Sequence, residues 1–196
     1  MNIKERLRVL AVDDSPHKEN EKSTWLVGVV YRGKESFDGL KISTITVDGL
    51  DATEKIAELY FSFSRNDIRV VLLDGITYAG FNIVDLPALH EKIGLPIIAF
   101  VDHLPSKQRM LAALQKHFAD WQERWRRIEA AGKLYPMRIG QAVRYFQCAG
   151  ISPREAKLLL RKIILYGAIP EPLRVANLIA RAIGEMQWST KSCCQK

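Results

Sequence analysis

Two aspartates stand at the ends of apolar, β-rich runs in this chain of 196 residues. Asp13 closes the run 7–13, and Asp74 closes the run 68–74. Continuous apolar runs of this kind are typical of strands buried on both faces at the centre of an α/β sheet. A single aspartate after a strand would favour a plainer interpretation, in which it begins a loop or caps a helix. Two of them, both after central strands, favour a site that performs chemistry.

The chemistry that suits such a pair is the binding of a hard divalent cation. If the two strands are parallel neighbours, their ends lie about 5 Å apart, so the carboxylates of Asp13 and Asp74 stand side by side. Carboxylate oxygens are the ligands that Mg²⁺ and Mn²⁺ prefer. Without a cation the two charges repel, so one of the two aspartates should have a raised pKa. The sequence therefore predicts Asp13 and Asp74 as catalytic residues that hold Mg²⁺ or Mn²⁺.

Composition limits the class of protein and the kind of partner. The length suits one domain, and the net charge of +7 favours an anionic partner, with nucleic acid the natural candidate. No apolar run approaches the length of a membrane span, and we expect neither a signal peptide nor a membrane partner. The three cysteines, Cys148 and the pair Cys193-Cys194, do not form a disulfide framework. We therefore expect a cytoplasmic protein; the oligomeric state stays open.

The elements that must position the two aspartates follow from periodicity and turn signals. We predict five strands, at residues 7–13, 23–32, 40–47, 68–74 and 96–101. Short connections make the first three an antiparallel meander, and helices separate the later ones, which predicts the sheet order 3-2-1-4-5. Residues 143–149 are a candidate for one more strand. A capping box at 51–54 predicts the start of the first helix, which carries an apolar stripe.

The second half of the chain is predicted to be mostly helical. Residues 106–131 are rich in helix formers, and Arg124, Arg126 and Arg127 interleave with an apolar stripe, which predicts a basic, solvated outer face. A capping box begins a further helix at Ser152, and the last helix should end near Gly184. We predict a single domain over residues 1–186 and a mobile tail over 187–196.

Three segments together resemble a known family. Residues 72–85 and 94–98 are similar to uncharacterised archaeal proteins grouped as a domain of unknown function and related to endonuclease V. Val12-Asp13 resembles the first catalytic aspartate of endonuclease V, and Leu73-Asp74-Gly75 resembles its central aspartate-glycine motif. Residues 169–177 resemble its late motif, Pro-Glu-Pro-Thr-Arg, one variable residue, Ala-Asp. The resemblance implies a ribonuclease H-like α/β fold with a five-stranded mixed sheet and helices on both faces, and a metal-dependent nuclease.

The chain departs from endonuclease V at two places that matter for activity. Asn177 stands where endonuclease V ends its late motif with an acidic residue, and a neutral amide should weaken metal binding. Residues 101–103, Val-Asp-His, stand where endonuclease V has a lysine after the fifth strand, so the phosphate-facing cation is absent or supplied elsewhere. The third carboxylate of the family is assigned to Asp51, with Glu54 and Asp48 as lesser candidates. The predicted capping box explains Asp51 and Glu54 equally well.

Other polar residues are candidates for contact with nucleic acid. Arg174, Asn177 and Arg181 recur at i, i+3 and i+7 on an otherwise apolar helix, so they form one stripe that faces either a phosphate backbone or solvent. His103 follows the fifth strand at the end of the sheet where ligands bind in such folds. Three functions remain open. They are a metal-dependent nuclease or phosphodiesterase, a nucleic-acid-binding protein with weakened catalysis, and a scaffold for other proteins.

Overall fold

The computed structural model describes residues 7–193, with the side chains of residues 7–186. The strands of this region are β1 (Arg8–Asp14), β2 (Ser23–Arg32), β3 (Ser36–Thr46), β4 (Ile68–Asp74), β5 (Thr77–Tyr78), β6 (Asn82–Ile83), β7 (Ile97–Val101), β8 (Tyr135–Ile139) and β9 (Ala142–Ala149). The helices are α1 (Ala52–Ser62), α2 (Leu86–Ile93), α3 (Lys107–His117), α4 (Trp121–Ala130), α5 (Pro153–Ile163) and α6 (Glu171–Cys193).

One mixed sheet forms the centre of the described region. Its seven strands lie in the order β3-β2-β1-β4-β7-β9-β8. β1, β4 and β7 are parallel to one another, while β2, β3, β8 and β9 pair antiparallel with their neighbours. The short strands β5 and β6 form a separate hairpin after β4.

The predicted count of five strands is wrong, because β9 and β8 extend the sheet beyond β7. The five strands expected from the sequence are neighbours in the expected order. β9 was recognised as a candidate over residues 143–149. β8 was missed because Pro136 and Arg138 interrupt its apolar pattern, and proline is tolerated at the edge of a sheet but not at its centre.

Helices cover both faces of the sheet, and each face has its own core. Leu10 and Val12 of β1 point toward the face that carries α1, α2, α3 and α4. Val9 and Ala11 alternate with them and point toward α5 and α6. This alternation explains why β1 has an unbroken apolar run rather than an apolar-polar pattern. Within the described residues, no helix combines the length and the apolar character that a membrane span requires.

Several helix boundaries differ from the predictions. The segment 106–131, noted for its helix formers, consists of two helices, separated at Phe118–Asp120, where Phe118 is extended. α6 does not end near Gly184 but continues to Cys193. The predicted mobile tail over 187–196 begins within α6, and residues 194–196 lie outside the described residues. The capping box at Ser152 is confirmed, since its hydroxyl accepts a hydrogen bond from the Glu155 N–H.

The predicted basic, solvated face of α4 is wrong for two of its three arginines. Only 5% of Arg124 is exposed, and its guanidinium lies 4.2 Å from the centre of the Phe118 ring. Arg124 pairs with Asp120 and donates to the backbone carbonyls of Asp48, Gly49 and Phe81. Arg127 donates likewise to the carbonyls of Leu50 and Ile83. Both arginines therefore donate to backbone carbonyls of the segment 48–50 and of the β5–β6 hairpin. Of the three arginines, Arg126 alone is exposed.

Candidate metal centre

Asp13 and Asp74 lie at adjacent strand ends, as predicted. β1 and β4 are parallel neighbours, and Val12 pairs with Leu73 in their register. Side chains alternate along a strand, so Asp13 and Asp74, which follow this pair, point to the same face of the sheet. That face is the one covered by α6. The two carboxylates therefore stand side by side at the C-terminal edge of the parallel strands.

A buried tyrosine joins the two strand ends beneath the carboxylates. The Tyr78 hydroxyl donates to the Val12 carbonyl at 2.9 Å and accepts from the Asp74 N–H at 3.1 Å. Both backbone groups lie where β1 and β4 separate, so they would otherwise have no partner. Gly75 has φ +76°, a conformation that favours glycine, and its N–H donates to the Phe100 carbonyl. This N–H is therefore used by the pairing with β7.

Asp13 is the most enclosed carboxylate of the site, with 5% of the residue exposed. Its Oδ1 accepts from the Asp14 N–H at 2.8 Å, and its Oδ2 accepts from Asn177 Nδ2 at 2.9 Å. Burial raises the pKa of Asp13, and the bonds from Asn177 and from the Asp14 backbone oppose that rise. Asn177 thus belongs to the carboxylate site and does not form a continuous surface stripe with its neighbours on α6.

Asp74 is the open member of the pair. The residue is exposed, and its carboxylate accepts no hydrogen bond from any residue that the structure describes. Loss of hydration among the surrounding protein atoms raises its pKa to about 7, and the charges of Asp13, Asp102 and Asp14 add to the rise. Solvent at the mouth of the site screens part of this effect. The predicted raised pKa is confirmed in direction, but loss of hydration is a larger cause than repulsion.

Asp14 is a third carboxylate that sequence reasoning did not assign. It points to the opposite face of β1, where its Oδ2 accepts from the Ala79 N–H at 2.8 Å. Burial raises the pKa of Asp14 to about 7; the Ala79 bond lowers it and the charge of Asp13 raises it further. Asp14 therefore ties the β5–β6 hairpin to the end of β1 and adds negative charge beside Asp13.

Asp51 and Asp48, two of the candidates for a third carboxylate, are engaged in other contacts. Asp51 precedes α1 but makes no cap hydrogen bond, so the predicted capping box is wrong. Its carboxylate accepts instead from Thr46 Oγ1 at 2.7 Å and from Asn82 Nδ2 at 2.5 Å. Asp48 Oδ1 accepts from the Phe81 N–H at 2.8 Å. These tertiary partners outcompete the local cap.

The remaining candidates occupy different surroundings. Arg174 forms a two-pronged ion pair with the buried Glu171, one turn before Asn177 on α6. Arg181 is exposed and makes no ion pair or hydrogen bond with the described residues. His103 is likewise exposed after β7, with no polar partner in the described region. The structure thus brings together Asp13, Asp74 and Asn177, and leaves Arg181 and His103 free at the surface.

The donors present suit a weakly held Mg²⁺ or Mn²⁺. Among residues 7–186 no group of three or more His, Cys, Asp or Glu side chains is arranged to hold a metal ion. Asp13 and Asp74 supply hard oxygen donors, and Asn177 can add an amide oxygen. Mg²⁺ commonly binds through one or two carboxylates and keeps several waters, so such a set is chemically sufficient. The raised pKa values of both aspartates are what a cation would relieve.

Sequence reasoning did not assign Tyr78, Asp14 or Asp102 to the site, although the sequence held a usable signal for one of them. Asp14 was adjacent to an assigned residue, so the alternation of side chains along β1 was a usable signal for a second carboxylate on the other face. Asp102 lay in the segment noted for its missing lysine. Nothing local distinguishes Tyr78 from any other core tyrosine, because its role depends on the register between β1 and β4.

Comparison with known proteins agrees with this architecture. The UPF0215 protein of Methanothermobacter thermautotrophicus is 42% identical over 191 residues, which cover 95% of this chain and 93% of the relative. A crystal structure of a protein of unknown function from Archaeoglobus fulgidus has a TM-score of 0.80 and 32% identity, covering 90% of this chain and 97% of that one.

A more distant structure shares the fold. Endonuclease V of Ciona intestinalis, in complex with DNA containing an inosine, has a TM-score of 0.58 and 14% identity, covering 96% of this chain and 86% of that one. The sequence pattern of the family described as endonuclease dU matches residues 5–184. The chain therefore belongs to the endonuclease dU family, an archaeal group with the α/β fold of endonuclease V.

Proposed function

We propose that this protein is a Mg²⁺- or Mn²⁺-dependent endonuclease that acts on nucleic acid. The observation that carries the proposal is the juxtaposition of the Asp13 and Asp74 carboxylates on parallel neighbouring strands, with the Asn177 amide beside them. A divalent cation held by this set would activate water and stabilise the charge that develops on the phosphate.

Asp74, Asp13 and Asn177 would contribute to cation binding in different ways. Asp74 offers an open carboxylate at the mouth of the site, and Asp13 offers an enclosed one. Each oxygen of Asp13 accepts one hydrogen bond, which leaves lone pairs for a metal. Asn177 fixes the orientation of Asp13, while Tyr78 fixes the spacing of the strand ends. These contacts preorganise the site, so little reorganisation is needed when substrate arrives.

The choice of nucleic acid as substrate has three supports. The net charge is +7, which favours polyanions. The matching family is described as endonuclease dU, and the endonuclease V of Ciona intestinalis was crystallised with inosine-containing DNA. We therefore propose strands that carry a deaminated base, deoxyuridine first, as the substrates to test.

The direct test is cleavage of end-labelled strands containing deoxyuridine, inosine or neither base, in DNA and in RNA, with Mn²⁺. The wild type is expected to cleave, and Asp13→Ala and Asp74→Asn to lose activity. Glu91→Gln is the matched control, because it removes an exposed carboxylate from α2 that is far from the site in sequence and fold. Cleavage that survives Asp74→Asn, or cleavage equally strong in EDTA, would refute the proposal.

A second function is favoured by the neutral side chain of Asn177. A nucleic-acid-binding or scaffold protein on the nuclease fold would tolerate an amide where a nuclease profits from a third carboxylate. Under this alternative the wild type is inert toward all strands. If Asn177→Asp then gains Mn²⁺-dependent cleavage, the chain is a nuclease scaffold with weakened catalysis. If that variant is also inert, a binding or scaffold role is favoured.

A further inference from the structure

Arg144 is a partly enclosed cation beside the candidate metal centre that the sequence did not single out. β9 runs antiparallel to β7, with Phe100 opposite Phe146 and Val101 opposite Tyr145. The next position outward on each strand places Arg144 across from Asp102. Their contacts agree with this, since Arg144 Nε lies 3.3 Å from Asp102 Oδ1.

Asp102 and Arg144 share a face with the metal-binding carboxylates. Phe100 and Phe146, two residues inward on each strand, are both buried in the core beneath α5 and α6. Asp74 pairs with Phe100 in the register of β4 and β7, so it points to that face too.

The guanidinium of Arg144 is poorly satisfied where it stands. Its Nε is buried and has no hydrogen-bond partner, although it lies near the Asp102 carboxylate. Its Nη1 donates only a 3.3 Å bond to the Asp102 carbonyl, and Nη2 donates none within the described part of the chain. Charge-assisted bonds are normally about 2.7–2.9 Å long, so these contacts are loose. An arginine with five donors held this loosely is suited to take up an anion.

We propose that Arg144 binds a phosphate of the substrate strand, and so supplies a cation beside residues 101–103, which include no lysine or arginine. The inference rests on the proposed function only in naming a nucleic-acid strand as the substrate. β9 is two strands from β4, and Arg144 lies two residues beyond the position in register with Asp74, so their Cα atoms are about 12 Å apart. That separation suits a phosphate next to the scissile one. Asp102 holds the guanidinium in place until the phosphate arrives.

The test is the salt dependence of strand binding, measured in EDTA so that neither metal nor cleavage is involved. Fluorescence anisotropy of a labelled, deoxyuridine-containing single strand would be followed between about 50 and 200 mM salt. Arg144→Gln is expected to weaken binding and to reduce the slope of log K against log salt by about 0.7, the value for one phosphate contact on a single strand.

Three further variants separate this role from a structural one. Arg138→Gln removes the same charge from the exposed neighbouring position on β8, and should leave the slope unchanged. Arg144→Lys keeps the charge and should restore most of the slope. Asp102→Asn removes the carboxylate that competes with the phosphate for Arg144, and it leaves Arg144 in place. This variant should bind the strand more tightly, and it can be measured even if the Arg144→Gln protein folds poorly. An unchanged slope in Arg144→Gln, an equal loss in Arg138→Gln, or weaker binding in Asp102→Asn would overturn the inference.

The outcomes distinguish this inference from the proposed function. If the slope changes as expected but no variant or wild type cleaves, the phosphate contact stands and the nuclease assignment fails. If the wild type cleaves and Arg144→Gln binds and cleaves like it, the nuclease stands and the Arg144 contact is wrong. In an active enzyme, loss of a contact to a neighbouring phosphate should raise KM and leave kcat unchanged.

Discussion

Replacing Asn177 by aspartate should destabilise the metal-free protein and should enlarge the stabilisation that metal gives. Asn177 Nδ2 donates to Asp13 Oδ2 at 2.9 Å, and Asp13 is almost fully enclosed. Asn177→Asp removes this bond to a charged group, which is worth about 1.5–3 kcal/mol. It also sets two carboxylates against each other, a repulsion of about 4 kcal/mol at 4 Å and an effective dielectric constant of 20.

The two carboxylates can avoid most of that repulsion by sharing a proton, so the net loss should be smaller than the sum. We expect the metal-free Asn177→Asp protein to be about 2–4 kcal/mol less stable than wild type at pH 8. For a chain of this size, each kcal/mol lowers Tm by about 2–4 °C. The loss should be smaller at pH 5.5, where the shared proton is held more firmly.

The assay is thermal unfolding with and without Mn²⁺, with Asn177→Ala as the control that loses the hydrogen bond but adds no charge. Mn²⁺ should raise the Tm of Asn177→Asp more than that of wild type, because the new carboxylate adds charge at the cation. Mn²⁺ should raise the Tm of Asn177→Ala no more than that of wild type. The reasoning is refuted if metal-free Asn177→Asp is as stable as wild type at pH 8, or if Mn²⁺ stabilises both proteins equally.

Three other variants test the surroundings of the site by denaturant unfolding. The folded-state pKa of Asp14 is raised to about 7, so its contribution to stability is present in acid and is lost as pH rises through 7. Asp14→Asn should therefore stabilise the metal-free protein by roughly 1–2 kcal/mol at pH 8 and by little at pH 4; equal effects at both pH values would contradict the assignment. Tyr78→Phe should lower the free energy of unfolding by about 1–3 kcal/mol, because it leaves backbone groups at the ends of β1 and β4 without partners. The variant should also bind Mn²⁺ more weakly in calorimetry, and unchanged stability would contradict the role of Tyr78. Arg124→Met should lower the free energy of unfolding by about 3–5 kcal/mol, since it leaves Asp120 and three carbonyls unpaired, whereas Arg126→Met at an exposed position should lower it by less than about 1 kcal/mol. Similar losses in the two variants would refute the structural role of Arg124.

The central pair could be predicted because its signal is local. The runs that end in Asp13 and Asp74 are apolar at every position from Val9 to Val12 and from Val70 to Leu73, a pattern typical of strands buried on both faces. Strands of that kind, separated by helical crossovers, are parallel, and their C-terminal ends meet at one edge of the sheet. The sequence alone therefore predicts where both carboxylates lie in the fold.

Residues whose roles depend on tertiary partners could not be assigned in the same way. Asp51 has the local pattern of a helix cap, but Thr46 and Asn82 bind its carboxylate in the fold. Arg124 has the pattern of a solvated helix face, yet the carbonyls of distant loops bury it. In both cases the local preference is worth about 1 kcal/mol, and several tertiary hydrogen bonds outweigh it.

The role of Arg144 also depends on a tertiary partner and could not be predicted from the local sequence. The resemblance to endonuclease V implied that a phosphate-facing cation is absent after β7 or is supplied elsewhere, but it did not indicate that the adjacent antiparallel strand carries Arg144. The pairing of Asp102 with Arg144 follows from the register between β7 and β9, and no local pattern specifies that register.

Diffraction at the manganese absorption edge, from crystals grown with Mn²⁺, tests the central claim most directly. We predict one anomalous peak between Asp13 and Asp74, with oxygen ligands at about 2.0–2.6 Å and with waters completing the coordination. The peak should disappear in crystals of Asp74→Asn grown in the same way. No peak at this edge of the sheet in wild-type crystals, or an equal peak in Asp74→Asn, would contradict a metal centre at these residues.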